Sequence, residues 1–246
     1  MSMGFIEPVK KKEKTNQSGL VKKQLKNIEE GFKYILKSNR LKALIIAAAL
    51  IVSLLSILIN YHTSILQYVG IPTYIIGFIA AGMSVISSMA SKMQEKFHNK
   101  FRNKSLITLA LIASISTIIA GSAGIIVYKS KIFIGVIIFA IMTSRFTHGM
   151  YYTLIDKYFT NFSNKDIDTK IFAVKNLIVN MTSAIMGFIA SFLLDKVEIT
   201  YCLIIVGIAF TIMYILMGIY MKTRVGLKPE EYSKEERKYD VLKEDI

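Results

Sequence analysis

The sequence predicts an all-α membrane protein with six transmembrane helices. Three observations carry this prediction: 53% of the 246 residues are hydrophobic, the mean hydropathy is +0.46, and the charged residues are clustered instead of interspersed. Residues 43–91, for example, contain no Asp, Glu, Lys or Arg. Because about 20 apolar residues cross a hydrocarbon core of roughly 30 Å, that run alone is long enough for two spans.

The spans follow from the charge-free runs and from one turn signal. The stretch QYVGIPTY divides the first run, because Gly70 and Pro72 indicate a turn. The predicted spans lie near residues 43–60, 73–91, 105–128, 132–155, 171–194 and 199–221.

The basic residues predict the orientation of these spans. Of the 31 Lys and Arg residues, 26 lie in the two termini and in the loops after the second and fourth spans. The loops on the other side contain only Lys129, Lys131 and Lys196. Cytoplasmic loops carry the excess of Lys and Arg, so we expect both termini in the cytoplasm.

The predicted domain organisation has three parts. Residues 1–42 form a basic cytoplasmic linker, residues 43–221 form the six-span domain, and residues 222–246 form a cytoplasmic tail. Within the linker, Ile28, Phe32 and other apolar residues recur at helical spacing among lysines. This pattern favours an amphipathic helix along the membrane interface, with a solvated charged linker as the alternative.

The same composition argues against several function classes. The formal net charge of +14 would indicate nucleic acid in a soluble protein, but the topology accounts for it, so the expected partner is the lipid bilayer and not nucleic acid. Cys202 is the only cysteine, which excludes an internal disulfide and a CxxC site. The three histidines never pair at ligand spacing, and no catalytic motif is present. We expect no enzyme activity, no metal and no cofactor.

A permanent charge lies inside the fourth predicted span. Arg145 is near the middle of residues 132–155, and His148 shares its helix face at the i, i+3 spacing. A charge at the centre of a membrane helix costs at least about 2.5–3.5 kcal/mol, so it faces a bundle interior or a water-filled cavity. Two interpretations stay open: a structural arginine bonded to carbonyl groups, or an arginine on a substrate path.

Other polar residues complete the set of candidates. Asn180 in the fifth span either bonds to a neighbouring helix or lines a cavity. Asn60 and His62, at the outer end of the first span, either gate a path or lie at the interface. Lys175 is expected to extend its ammonium group toward the cytoplasmic surface. The substrate-path candidates are Arg145, His148, Asn180 and Asn60.

Small residues recur through the predicted spans, and we expect them to let helices pack closely. Examples in the span regions 73–91 and 171–194 are Gly77, Gly82, Ser84, Ser88, Gly187, Ala190 and Ser191.

Several stretches resemble the C-terminal half of a major facilitator superfamily transporter. NIEEGFKYILKSNRLKALII is similar to the linker helix that leads into the seventh span of that family. SKMQEKFHNKFRNKSL stands where the family has its second Gly-x-x-x-Asp-Arg-x-Gly-Arg-Arg loop, although Glu95 and Lys96 replace the Asp-Arg pair. RFTHGMYYTLIDKYF is similar to the tenth span of one bacterial branch, with Arg145, Gly149 and Tyr158 in matching positions.

That resemblance implies a bundle of 3+3 spans related as inverted repeats, and a secondary transporter that moves a small solute by alternating access. Such halves come in pairs, so it also implies a partner, either an N-terminal half or a second copy of this chain. The expected location is a bacterial plasma membrane. Two alternatives remain: a six-span subunit or truncated remnant that does not transport alone, and a channel or permease subunit driven by a separate ATPase.

Overall fold

The chain folds into seven α-helices within the residues that the computed structural model describes, which are 17–101, 104–162 and 168–222. The helices are α1 Gln17–Lys37, α2 Asn39–Tyr68, α3 Thr73–Phe101, α4 Ser105–Ile126, α5 Ile132–Phe162, α6 Asp168–Leu194 and α7 Ile199–Lys222. Helices α2 to α7 are long and apolar enough to cross a membrane. The predicted all-α class and the six apolar spans are confirmed, whereas the predicted tail beyond Lys222 lies outside the described residues.

Three helices run further than the apolar segments that predicted them. Helix α2 ends at Tyr68 instead of near residue 60, α3 ends at Phe101 instead of residue 91, and α5 ends at Phe162 instead of residue 155. Hydropathy marks where the chain leaves an apolar environment, whereas the helix continues as long as its backbone hydrogen bonds do. The extension of α5 places Asp156 on a helix instead of in a loop.

The two sharp breaks around α2 have local causes. Ser38 separates α1 from α2 in an extended conformation, and its Oγ accepts a hydrogen bond of 3.2 Å from the N–H of Leu41, as a helix N-cap does. At the other end, Gly70 has a φ of +82°, a backbone conformation that glycine adopts without steric cost. The turn predicted at Gly70 and Pro72 is therefore present between α2 and α3.

The six long helices alternate in direction. At one end of the bundle, which we call the α1 end, Lys170 at the start of α6 donates to Glu30 of α1, and Tyr158 near the end of α5 lies 3.4 Å from His98 near the end of α3. At the opposite end, the hydroxyl of Tyr68 in α2 donates to Glu198 just before α7, at 3.1 Å. Helices α3 and α5 therefore run parallel to each other, and so do α2 and α6.

Helix α2 lies at the centre of the packing and α6 at its edge. In their apolar windows, 67% of the residues of α2 are buried, compared with 11% in α6 and 22% in α3. The extensive contact between α4 and α7 is made possible by glycine, because a Cβ on Gly121 would lie 2.6 Å from the carbonyl oxygen of Thr200. The bundle thus has a densely packed side and exposes apolar faces on α3 and α6.

The amphipathic helix predicted before the first span is present as α1. Ile35 is buried against the bundle, whereas Phe32 and Leu36 remain exposed. The hydrogen bond from Lys170 lowers the pKa of the Glu30 carboxyl, which keeps this contact charged at neutral pH. Contacts between α1 and the start of α6 therefore hold α1 at this end of the bundle.

Candidate functional site

Arg145 lies near the middle of α5, whose apolar stretch of 29 residues runs from Ile132 to Thr160. Its side chain is partly buried, and its Nε atom is buried without a hydrogen-bond partner among the described residues. A guanidinium group stays protonated at every accessible pH. The helix therefore carries a permanent positive charge about midway along its apolar length.

An open groove of about 540 Å³ runs between α3 and α5 beside this arginine. The α5 side of the groove is formed by Arg145, His148, Gly149 and Tyr152. The α3 side is formed by Ala80, Met83, Ser84, Ser87, Ser88 and Ser91. None of these lining residues is acidic, so the groove combines one permanent cation with a row of hydroxyl groups.

His148 lines the same groove as Arg145, as the i, i+3 spacing predicts. Its Nδ1 atom lies 3.5 Å from the Oγ atom of Ser87, and its ring packs on Tyr152 with centroids 4.7 Å apart. The imidazole therefore has contacts to both helices that form the groove.

Gly149 is the point at which α5 crosses α3. A Cβ at this position would lie 2.0 Å from the carbonyl oxygen of Ser87, much closer than any two such atoms can approach. The two backbones can touch here because glycine has no side chain. Since Gly149 follows His148 directly, this crossing fixes the distance between the α5 and α3 sides of the groove.

His62 of α2 approaches the same positive centre from a third helix. Its side chain is only 4% exposed, its Nδ1 atom has no partner among the described residues, and it is close enough to interact electrostatically with both Arg145 and His148. This burial does not fit the interfacial position, which is one of the two alternatives that the sequence left open for His62. The sequence could not indicate this proximity, because it depends on how α2 packs against α5.

Lys175 has partners near the α1 end, and its extension toward the cytoplasmic surface stays a prediction. Its ammonium group donates to Asp156 of α5 at 2.7 Å and lies 5.3 Å and 4.7 Å from the ring centroids of Phe159 and Phe172. The sequence did not predict this pair, because the fourth predicted span ends at residue 155 and leaves Asp156 in a loop. The pairing identifies Lys175 as a compensated charge at the α1 end.

The remaining two candidates lie outside the groove. Asn60 on α2 and Asn180 on α6 are both exposed, and neither is among the residues that line it. The structure thus brings together Arg145 and His148, adds His62, and leaves the two asparagines on other faces. A role for Asn60 or Asn180 on a substrate path stays a prediction.

The small residues divide into two groups that the sequence did not separate. Gly77 and Gly187, expected at close helix contacts, have no atom within 4 Å of an added Cβ, so that expectation is wrong for them. Ser84 and Ser88 line the groove. The close contacts are made by other glycines, namely Gly31, Gly121, Gly124, Gly149 and Gly207.

Six long apolar helices define an integral membrane protein, and its candidate site is a cationic, hydroxyl-lined groove between two of them. No protein-family model, no curated protein and no solved structure matches the chain.

Proposed function

We propose that this chain is the C-terminal half of a secondary transporter of the major facilitator type, and that the groove between α3 and α5 is part of its substrate path. The observation that carries the proposal is the position of Arg145, a permanent charge midway along an apolar helix that opens into a groove of about 540 Å³. Ionisable residues at this depth mark substrate or ion pathways.

The helix contacts support an arrangement of two three-helix repeats. Helix α3 packs on α5, α6 packs on α2, and α4 packs on α7. A two-fold relation between the repeats would exchange α2 with α5, α3 with α6, and α4 with α7. This exchange leaves the set of three pairs unchanged. Because each repeat has three spans, the second repeat enters the membrane from the opposite side, which makes the relation an inverted one.

The exposed faces of α3 and α6 favour a partner that completes the bundle. Phe78 on α3 and Phe188 on α6 are largely exposed, and so is the polar Asn180 on α6. Apolar side chains are satisfied by lipid, but an amide facing hydrocarbon is costly. The proposed partner is an N-terminal half or a second copy of this chain, and the chain alone is not expected to transport.

The proposed location is a bacterial plasma membrane with the α1 end in the cytoplasm. Cysteines introduced at Ser18 in α1 and at Ser130, between α4 and α5, test the orientation in a Cys202→Ser background. In intact cells, Ser130→Cys should react with membrane-impermeant thiol reagents and Ser18→Cys should not. The reverse pattern would overturn the orientation.

Alternating access is tested at the groove itself. A cysteine at Ser84, which lines the groove near Arg145, should react with impermeant reagents applied from either side of the membrane when the chain is expressed with its partner. Cysteine at Gly77, an exposed position on the same helix that does not line the groove, is the matched control. Reactivity from one side only, under every condition, would favour the non-transporting subunit.

A further inference from the structure

Within residues 17–101, 104–162 and 168–222, the positive charge of Arg145 has no acidic partner near the groove. The acidic residue of α5 within its span is Asp156, and it bonds to Lys175 at 2.7 Å. It also lies eleven residues from Arg145, or about 16 Å at 1.5 Å rise per residue. The groove-lining residues supply no carboxylate.

Hydrogen-bond donors surround the arginine. Ser84, Ser88 and Tyr152 bring hydroxyl groups to the groove, and the guanidinium itself can only donate. Ser84 now donates to the carbonyl of Ala80 at 3.1 Å, a bond that a hydroxyl can exchange by rotating about its Cβ–Oγ bond. The lining can therefore offer several donors to one bound acceptor.

Two imidazoles lie near the arginine and bring no negative charge to it. His148 lies in the groove beside Ser87, and His62 is buried near Arg145. Neither bonds to a carboxylate among the described residues. Neither ring can therefore act as the counter-ion of Arg145.

From these features we infer that the groove is selective for anions, and that the solute it takes carries a carboxylate, phosphate or sulfonate group. This inference rests on the proposed function, because it names the class of substrate for the same site.

A buried or half-buried cation is stable only when it is hydrated or paired. An oxyanion would accept hydrogen bonds from the guanidinium and the serine hydroxyls, bonds that are stronger than neutral ones. A cationic solute would meet only repulsion. The volume of the groove suits a small organic anion.

The experiment measures charge selectivity at a cysteine in the groove. Ser84→Cys, in the full chain with Cys202→Ser, is modified with two methanethiosulfonate reagents, the anionic sulfonatoethyl form and the cationic trimethylammonium-ethyl form. The ratio of the two rates is compared with the same ratio for free cysteine. A local positive potential also promotes ionisation of the thiol, but this accelerates both reagents equally and leaves the ratio unaffected.

The anionic reagent should be favoured by about tenfold or more over the free-cysteine ratio, because the charge of Arg145 attracts the anionic reagent and repels the cationic one at close range. Arg145→Gln should remove this preference, and Arg145→Lys should preserve it. A ratio equal to or below that of free cysteine in the Arg145 protein would overturn the inference, and this arm needs no arginine variant to fold.

The outcome is independent of the test of alternating access. Anion preference at a groove that opens to one side only would keep the anion site and refute the transporter. Access from both sides without anion preference would support the transporter and refute the anion site. A Ser84→Cys thiol that reacts with neither reagent from either side would overturn both.

Discussion

Two cations lie inside the helix bundle, and the chain surrounds them differently. Lys175 is only 11% exposed, bonds to Asp156 and packs between the rings of Phe159 and Phe172. Arg145 has no acidic partner among the residues that the structure describes, and it opens into a groove lined by serines. Helix α5 is involved in both cases, because it carries Arg145 at its middle and supplies Asp156, near its end, to Lys175 of α6.

The difference indicates what each charge is for. An ammonium group held by a carboxylate and two aromatic faces has recovered much of its lost hydration. A guanidinium without a counter-ion stays unpaired until water or a solute reaches it. The position of a cation along its span does not show whether it is compensated. The side chains around it do.

The largest expected effect concerns the crossing that builds the groove. Gly149→Ala would place a Cβ 2.0 Å from the carbonyl oxygen of Ser87, and backbone atoms cannot rotate away from it. We expect a loss of about 3 kcal/mol in stability, measured as a lower midpoint of thermal unfolding in mild detergent.

Gly135→Ala on the same helix is the control, since an added Cβ there meets nothing within 4 Å. It should be neutral or slightly stabilising, as alanine is the better helix former. Equal stability of the two variants would show that the α3–α5 crossing is looser than described, and the groove with it.

The next effect tests the compensated cation. Asp156→Asn leaves the ammonium of Lys175 buried without its carboxylate, and removing one partner of a buried pair costs more than the pair itself contributes. Because the Asp156 side chain is 52% exposed, water can replace part of the lost contact, and we expect about 2 kcal/mol of destabilisation.

Thermal unfolding measures this loss, and Glu95→Gln, which neutralises an exposed carboxylate on α3, is the matched control. If Asp156→Asn unfolds at the same temperature as Glu95→Gln, then Lys175 is as accessible to water as a surface lysine. Lys175 would then not be a buried cation that depends on Asp156, and it would not differ from Arg145 in the way described above.

Much of the fold could be predicted from the sequence, because each membrane span is a continuous run of apolar residues and can be recognised without knowledge of the rest of the chain. The spans 199–221 and 105–128 were predicted to within a few residues of α7 and α4, since charges or loop residues border both apolar runs. The end of α5 was missed because its last turns are polar and hydropathy detects the bilayer, not the helix. That error hid Asp156 and with it the partner of Lys175.

The candidate site was predictable only where one helix determines it. Arg145 and His148 share a face by helix geometry, so their pairing needed no tertiary information. The serines of α3 lie about 60 positions earlier, and His62 comes from α2. Which helices touch depends on packing between distant segments, and the sequence pattern of each segment does not encode it. The glycine at position 149 was noticed only for a resemblance, not for the crossing it allows.

A smaller effect is expected for the other half of the ion pair. Lys175→Met removes the cation and keeps a long flexible side chain between Phe159 and Phe172, where sulfur packs well against aromatic rings. The carboxylate left behind is half exposed and can be hydrated.

We therefore expect a change within about 1 kcal/mol, clearly less than for Asp156→Asn, when both are unfolded under the same conditions. The double variant should resemble Lys175→Met alone. A greater loss of stability in Lys175→Met than in Asp156→Asn would contradict this expectation. It would mean that the ammonium group contributes net stability and is more than a charge that Asp156 compensates.

The smallest effect on stability, and the largest on function, is expected at Arg145. Arg145→Gln removes a charge that no acid in the described part of the chain compensates, and loss of a poorly compensated buried charge need not destabilise a fold. The unfolding midpoint should stay near that of the parent protein, whereas solute movement by the chain with its partner should be abolished. Arg145→Lys separates charge from geometry, because an ammonium keeps the charge but loses the planar donors of the guanidinium.

A structural arginine bonded to carbonyl groups would behave in the opposite way: Arg145→Gln would lower stability and yield together, and a cysteine at position 145 would not react with hydrophilic thiol reagents. A stable Arg145→Gln protein that still moved solute would remove Arg145 from the substrate path, and Arg145 would then be an uncompensated charge that the chain tolerates.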